Sequence, residues 1–157
     1  MTNFKTFIES KEKEDVAQII AKLPKNHQKL LNGYKFKYTP GNTLQGDDEH
    51  IGHIHKDNIV VAAPWHYSRS FTTLHEIAHL VYEKLFTKEL KEKWTQLVKQ
   101  TMPDQIKKNP KSQDSLKQND EEIFCMVYAA SYVKHPPSTY LNEKWQDFVK
   151  TKVKKLI

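Results

Sequence analysis

Five residues, His75-Glu76-Ile77-Ala78-His79, constrain this chain more than anything else in it, because they lie inside a stretch with the apolar period of a helix. Leu74, Ile77, Ala78, Val81 and Leu85 fall on one face. A helix with such a face must be packed, and a packed helix is a rigid mount for what it carries. His75 and His79 then stand one above the other, with about 5–6 Å between Cβ atoms. Imidazoles at that spacing reach one tetrahedral zinc, and a glutamate directly after the first stands where it can take a proton from a bound water. A catalytic zinc needs a third protein ligand and an open position. The pattern HExxHxxGxxH, with histidine third, is excluded, because Tyr82 occupies its glycine position and Leu85 its last histidine.

A carboxylate on a later helix is the other common solution. Asp120, Glu121 and Glu122 open a helical stretch over roughly 121–134, with Asp120 as the expected N-cap and Pro136-Pro137 as the stop. Ile123, Val127 and Ala130 share one face, and Glu122, Met126 and Ala129 an adjacent one. Small Ala129 beneath Glu122 allows a close approach to the motif helix, which favours Glu122 over Glu121. The helix dipole alone also favours an acidic cluster at this place, so spacing leaves both readings open.

The rest of the chain divides by hydrophobic period. Val16, Ile19, Ile20 and Leu23 predict a helix over 10–23, ended by Pro24, and a short second one spans Lys25–Asn32 with Gly33 as its cap. Tyr34, Phe36 and Tyr38 alternate with polar residues as in a half-buried strand. Ile51–His55 and Asn58–Ala63 read as a hairpin across Lys56-Asp57. Leu90, Trp94, Leu97, Val98 and Met102 define a helix ended by Pro103. Residues 103–119 are polar and read as an exposed, flexible loop, and Leu141, Trp145, Phe148 and Val149 define a last helix. The expectation is an α+β fold: a small antiparallel or mixed sheet in the N-terminal half, packed on a mostly helical C-terminal half, as one domain over 1–157.

Composition excludes some functions. The single cysteine, Cys125, is read as ruling out both an internal disulfide and a thiolate zinc site. No apolar run approaches the roughly 20 residues of a membrane helix. No signal peptide follows Met1, so the chain as written is expected to be cytoplasmic, or secreted if it is a trimmed mature form. The net charge of +6 fits nucleic acid, an acidic partner or plain solubility. Lys150, Lys152, Lys154 and Lys155 would spread around a helix, and aromatic interleaving is absent, which argues against nucleic acid. A monomer is expected. His50, His53 and His55 form a competing metal trio that reads more ordinarily as a polar strand edge, and His27 and His135 have no partner in sequence.

Thr73–Val81 and Asn119–Phe124 resemble the catalytic domain of anthrax lethal factor and its small relatives, the Pro-Pro endopeptidases. Pro137-Ser138-Thr139-Tyr140, followed by Trp145 and Phe148, is similar to the end of that family's domain. The resemblance implies a zincin-like fold and a gluzincin-type zinc metallopeptidase. One zinc per chain would be held by His75, His79 and Glu122, with Glu76 as general base. The substrate would be an extended protein or peptide, proline-containing ones included. The segment Asn58–Ala63 corresponds to the edge strand of zinc peptidases, so Ile59, Val60, Val61 and Ala62 are expected to hold substrate by strand addition. The family also carries a transition-state tyrosine seven residues before the ligand glutamate, where this chain has Ser115; no tyrosine lies between Tyr82 and Tyr128. His66 and Tyr67 are the candidate replacements, although a surface loop is their ordinary reading. Arg69-Ser70-Phe71-Thr72-Thr73 resembles, less fully, the approach to HExxH in phage-repressor-cleaving proteases. The rival from a different class is a zinc-stabilised, non-catalytic binding module with a basic surface.

Overall fold

The computed structural model of the chain describes residues 2–3, 18–39, 52–55, 58–62 and 69–156, with side chains described at 18–35, 54 and 70–156. His50, His66 and Tyr67 lie outside the described residues, as does most of the helix expected over 10–23. The chain forms two compact units, Met1–Ile77 and Ala78–Ile157.

In the first unit, helix α1 (Lys25–Lys29) is shorter than its pattern predicts. Pro24 precedes it, and the backbone turns out of it through bonds from Leu31 N to Gln28 O (3.0 Å) and from Tyr34 N to Leu31 O (3.0 Å). Gly33 has φ +86, the left-handed conformation that a residue with a Cβ adopts only at a cost, so a glycine belongs at this exit. Among the described residues the strands are β1 (Thr2–Asn3), β2 (Lys35–Thr39), β3 (Gly52–His55) and β4 (Asn58–Ala62). Their order is β1-β2-β4-β3. β4 pairs in parallel with β2 (Lys35 opposite Asn58, Thr39 opposite Ala62) and antiparallel with β3 (Gly52 opposite Val61, His55 opposite Asn58).

This order corrects the reading of Ile59, Val60, Val61 and Ala62. They were expected on an edge strand, but β4 is flanked on both sides and both of its ladders are spent on neighbours. Among the described residues the free edge beside β4 belongs to β3. A chain cannot add to a strand whose backbone groups are already paired.

Helix α2 (Arg69–Leu85) begins in the first unit and ends in the second. The second unit continues with α3 (Lys88–Lys108), a 3₁₀ turn (Pro110–Ser112), α4 (Gln113–Leu116), α5 (Asp120–Tyr132), a second 3₁₀ turn (Ser138–Tyr140) and α6 (Glu143–Phe148), which runs into a π-type turn (Val149–Val153). Its core is aromatic. Trp94 and Trp145 are fully enclosed, and Phe124 meets Phe86 (4.8 Å between centroids) and Trp94 (5.7 Å) edge-on. Truncating either tryptophan to alanine would cost about 3–5 kcal/mol.

The α+β expectation is overturned. Of the residues described down to their side chains, 75% are helical and 2% extended, with no sheet among them, so the fold is mostly helical. Two causes are visible. The strands are two to five residues long, against helices of 17, 21 and 13. The stretch 103–119, read as a loop, is also helical for most of its length. Pro103 removes one backbone donor, yet α3 continues through it to Lys108. The next turn is held by Gln105, which is enclosed although polar. Its amide donates to Thr139 O (2.9 Å) and Leu141 O (3.0 Å), and its oxygen accepts from Asn142 Nδ2 (3.0 Å). A buried glutamine satisfied in this way is invisible to an apolar-period reading.

Candidate metal centre

Between Ser70 and Tyr82, every residue of α2 is buried except His75 and His79. Leu74, Ile77, Ala78 and Val81 are at most 1% exposed, so the expected face is enclosed along with most of its opposite. Over that span the helix opens only at two histidines one turn apart. Glu76, between them, is 5% exposed.

α5 is prepared at its first turn. Its N-cap is Asn119, one residue before the expected Asp120, and the Asn119 side chain accepts from Glu122 N at 2.8 Å. Asp120 is instead clamped by α3: its carbonyl accepts from Trp94 Nε1 (2.8 Å) and its carboxylate from the Thr95 hydroxyl (2.8 Å). This fixed turn carries Glu121 and Glu122 to the two nitrogens of one ring. His79 Nδ1 lies 2.7 Å from Glu121 Oε2, and His79 Nε2 lies 3.1 Å from Glu122 Oε1. The three side chains are 18, 30 and 34% exposed for His79, Glu121 and Glu122. They are neither sealed nor fully solvated, as groups that act on a ligand must be.

Other groups surround this cluster. Glu83, one turn beyond His79 and exposed, places a carboxylate oxygen within 4.8 Å of ligand atoms of His79 and Glu121. Cys125 Sγ lies within 4.8 Å of a ring nitrogen of His79, which narrows the exclusion of thiolate ligation that a lone cysteine implies. Burial, reinforced by the negative charge of Glu121, Asp120 and Cys125, pushes the Tyr82 hydroxyl up from its ordinary range, and Lys91 Nζ sits 4.9 Å above its ring.

Of the expected site residues, the structure brings together His79 and Glu122, and it puts His75 one turn from His79 on the same helix. Reading the sequence missed the contact of Glu121 with His79. Adjacent residues on a helix diverge by about 100°, which argues for one or the other facing a metal and hides the case where they flank one ring. Glu83 was legible as the fourth residue after His79. Ser115, where the resembling family has its tyrosine, sits in α4, and its carbonyl accepts from the enclosed Tyr140 hydroxyl (3.3 Å). His53 and His55 are in β3. Among the described residues no helix is long and apolar enough to cross a membrane. Compared with protein-family models, curated proteins and solved structures, the chain matches none.

Proposed function

We propose that this chain is a zinc-dependent endopeptidase with one zinc held by His75, His79 and Glu122. The observation that carries the reading is the 3.1 Å between His79 Nε2 and Glu122 Oε1. Zinc–nitrogen and zinc–oxygen bonds of about 2.0–2.2 Å at a tetrahedral angle put two ligand atoms about 3.4 Å apart, so this pair is close to the separation one metal imposes. The donor set, imidazole nitrogen with carboxylate oxygen, suits zinc.

When bound, zinc would supply a Lewis acid for the scissile carbonyl and a water that loses its proton near pH 7. Glu76, directly after the first histidine, would hold a proton of the attacking water and pass it to the leaving amine. Its near-complete burial keeps competing water away from the carboxylate. The tightly enclosed α2 holds His75 and His79 in place, so little ordering remains to be done when substrate arrives. His66 and Tyr67 remain the candidate donors to the developing oxyanion, in place of the tyrosine that Ser115 replaces.

Metal analysis followed by digestion of a proteome-derived peptide library tests this reading. The expected result is one zinc per chain, lost in His79→Ala, and cleavage that stops when a chelator removes the metal. Full zinc retention in His79→Ala would sink the site. One tightly held zinc with no cleavage of any peptide would select the non-catalytic binding module.

A further inference from the structure

We infer that Glu121 is a positioning residue for the zinc site: its carboxylate holds the His79 ring so that Nε2, and not Nδ1, faces the metal. The inference rests on the zinc reading above. The two carboxylates at His79 are not equivalent. Glu121 Oε2 is 2.7 Å from Nδ1, the length of a charge-assisted hydrogen bond and well short of the about 3.4 Å between two ligands of one tetrahedral zinc. Glu122 Oε1, at 3.1 Å from Nε2, is nearer that separation. An ionised carboxylate only accepts, so Nδ1 is the donor in the Glu121 contact. A ring whose Nδ1 is committed as donor has Nε2 left for a metal, and metal-bound histidines are commonly oriented in this way.

The backbone supports the assignment. Glu121 sits between two pinned residues, one held from α3 and the other by the N-cap of its own first turn. Asp120 is held by Trp94 and Thr95, and the amide of Glu122 is held by the Asn119 cap. The Glu121 carboxylate therefore reaches His79 from a fixed origin. Glu83 belongs to the same cluster but is exposed and lies on the same helix as His79, so it cannot fix that ring against α5.

Zinc affinity, measured by competition with a chromophoric chelator, tests the inference together with nitrogen-resolved NMR of the histidine rings in the zinc-loaded protein. Glu121→Ala should weaken zinc by about 10–100-fold. Glu121→Gln, whose amide oxygen still accepts, should recover most of that loss, which a merely structural role would not predict. The loaded wild type should show His79 bound through Nε2 with a protected Nδ1 proton, and Glu121→Ala should lose the protection. Unchanged affinity and an unchanged ring signature in Glu121→Ala would overturn the inference while leaving the zinc reading standing. His79 bound through Nδ1 would also overturn it. A wild-type chain that takes up no zinc would overturn the zinc reading, and this inference with it. If Glu121→Ala does not fold, Glu121→Gln and the wild-type ring signature still decide.

Discussion

Two sets of polar side chains in the helical second unit differ in what they meet. Thr101, Gln105, Asn142 and Trp145 spend their hydrogen bonds on each other and on backbone groups; the Trp145 indole donates to the Thr101 hydroxyl at 2.6 Å, Thr101 donates to Leu97 O at 2.7 Å, and Asn142 Oδ1 accepts from Lys144 N at 3.0 Å. Glu121 and Glu122 are partly open and meet the two nitrogens of one imidazole. Each carboxylate offers about four lone-pair sites, of which one hydrogen bond uses one. The first set has little capacity left for a ligand and serves as scaffold. The second keeps capacity to spare for a ligand and is the chemical set of the proposed function. Substitutions in one set should therefore leave the property of the other unchanged.

The largest effect belongs to the chemical set, extended to Glu76. Glu76→Gln should lower kcat/KM by about 10²–10⁴-fold with zinc content unchanged, because only the proton acceptor is lost. A Glu76→Gln protein that cleaves peptides at the wild-type rate would break the comparison at its root.

The scaffold should fail first in alkali. Burial pushes the Tyr132 hydroxyl up to about 12. A tyrosine is charged only after losing its proton, so the folded state keeps a proton through pH 10–12 that the unfolded chain has given up. The stabilisation is complete below pH 10 and is lost as pH rises through that window, by about 2–3 kcal/mol in total. Tyr132→Phe should remove this decline relative to wild type in urea melts at pH 9 and pH 11. Parallel slopes for the two proteins would show that Tyr132 plays no part.

What the sequence made legible follows the same division. The motif helix was readable because its chemistry and its apolar face share one local period. The approach of Glu122 to His79 agrees with the face it shares with Met126 and Ala129. Glu121 was missed because its role depends on which side of a ring it reaches, a fact of tertiary approach. The helical course of 103–116 was missed because the residue that holds it, Gln105, is polar, and its partners Thr139, Leu141 and Asn142 lie more than thirty residues away in sequence. The place of β4 was misjudged for a related reason. Its apolar run, Ile59-Val60-Val61-Ala62, stopped by Pro64, speaks of a strand, but only its non-local pairing with β2 shows that it is not an edge. The weight given to these short strands then tipped the class toward α+β.

Gln105→Ala sharpens the scaffold side at the next scale down. It leaves the carbonyls of Thr139 and Leu141 and the amide of Asn142 without their partner inside the fold, a loss of about 1–3 kcal/mol for each buried group that water cannot reach. Denaturant melts should show the loss, and chelator competition should show zinc affinity as in the wild type. A variant that kept its stability but lost zinc would mean that the two sets are one.

The smallest effect is expected where the sets touch. Asn119 caps α5 through the amide of Glu122, so it is scaffold by its bond and neighbour to the chemistry by its position. Replacing an N-cap asparagine with alanine costs about 1 kcal/mol, which should appear as a modest drop in melting temperature. The same substitution frees the first turn that carries both glutamates, although Trp94 and Thr95 still hold Asp120 from α3. Zinc affinity in Asn119→Ala should therefore fall by less than in Glu121→Ala, and Asn119→Ser, which restores the cap, should recover stability and affinity together. Recovery of stability alone would show that the cap supports the helix without governing where Glu121 and Glu122 meet His79.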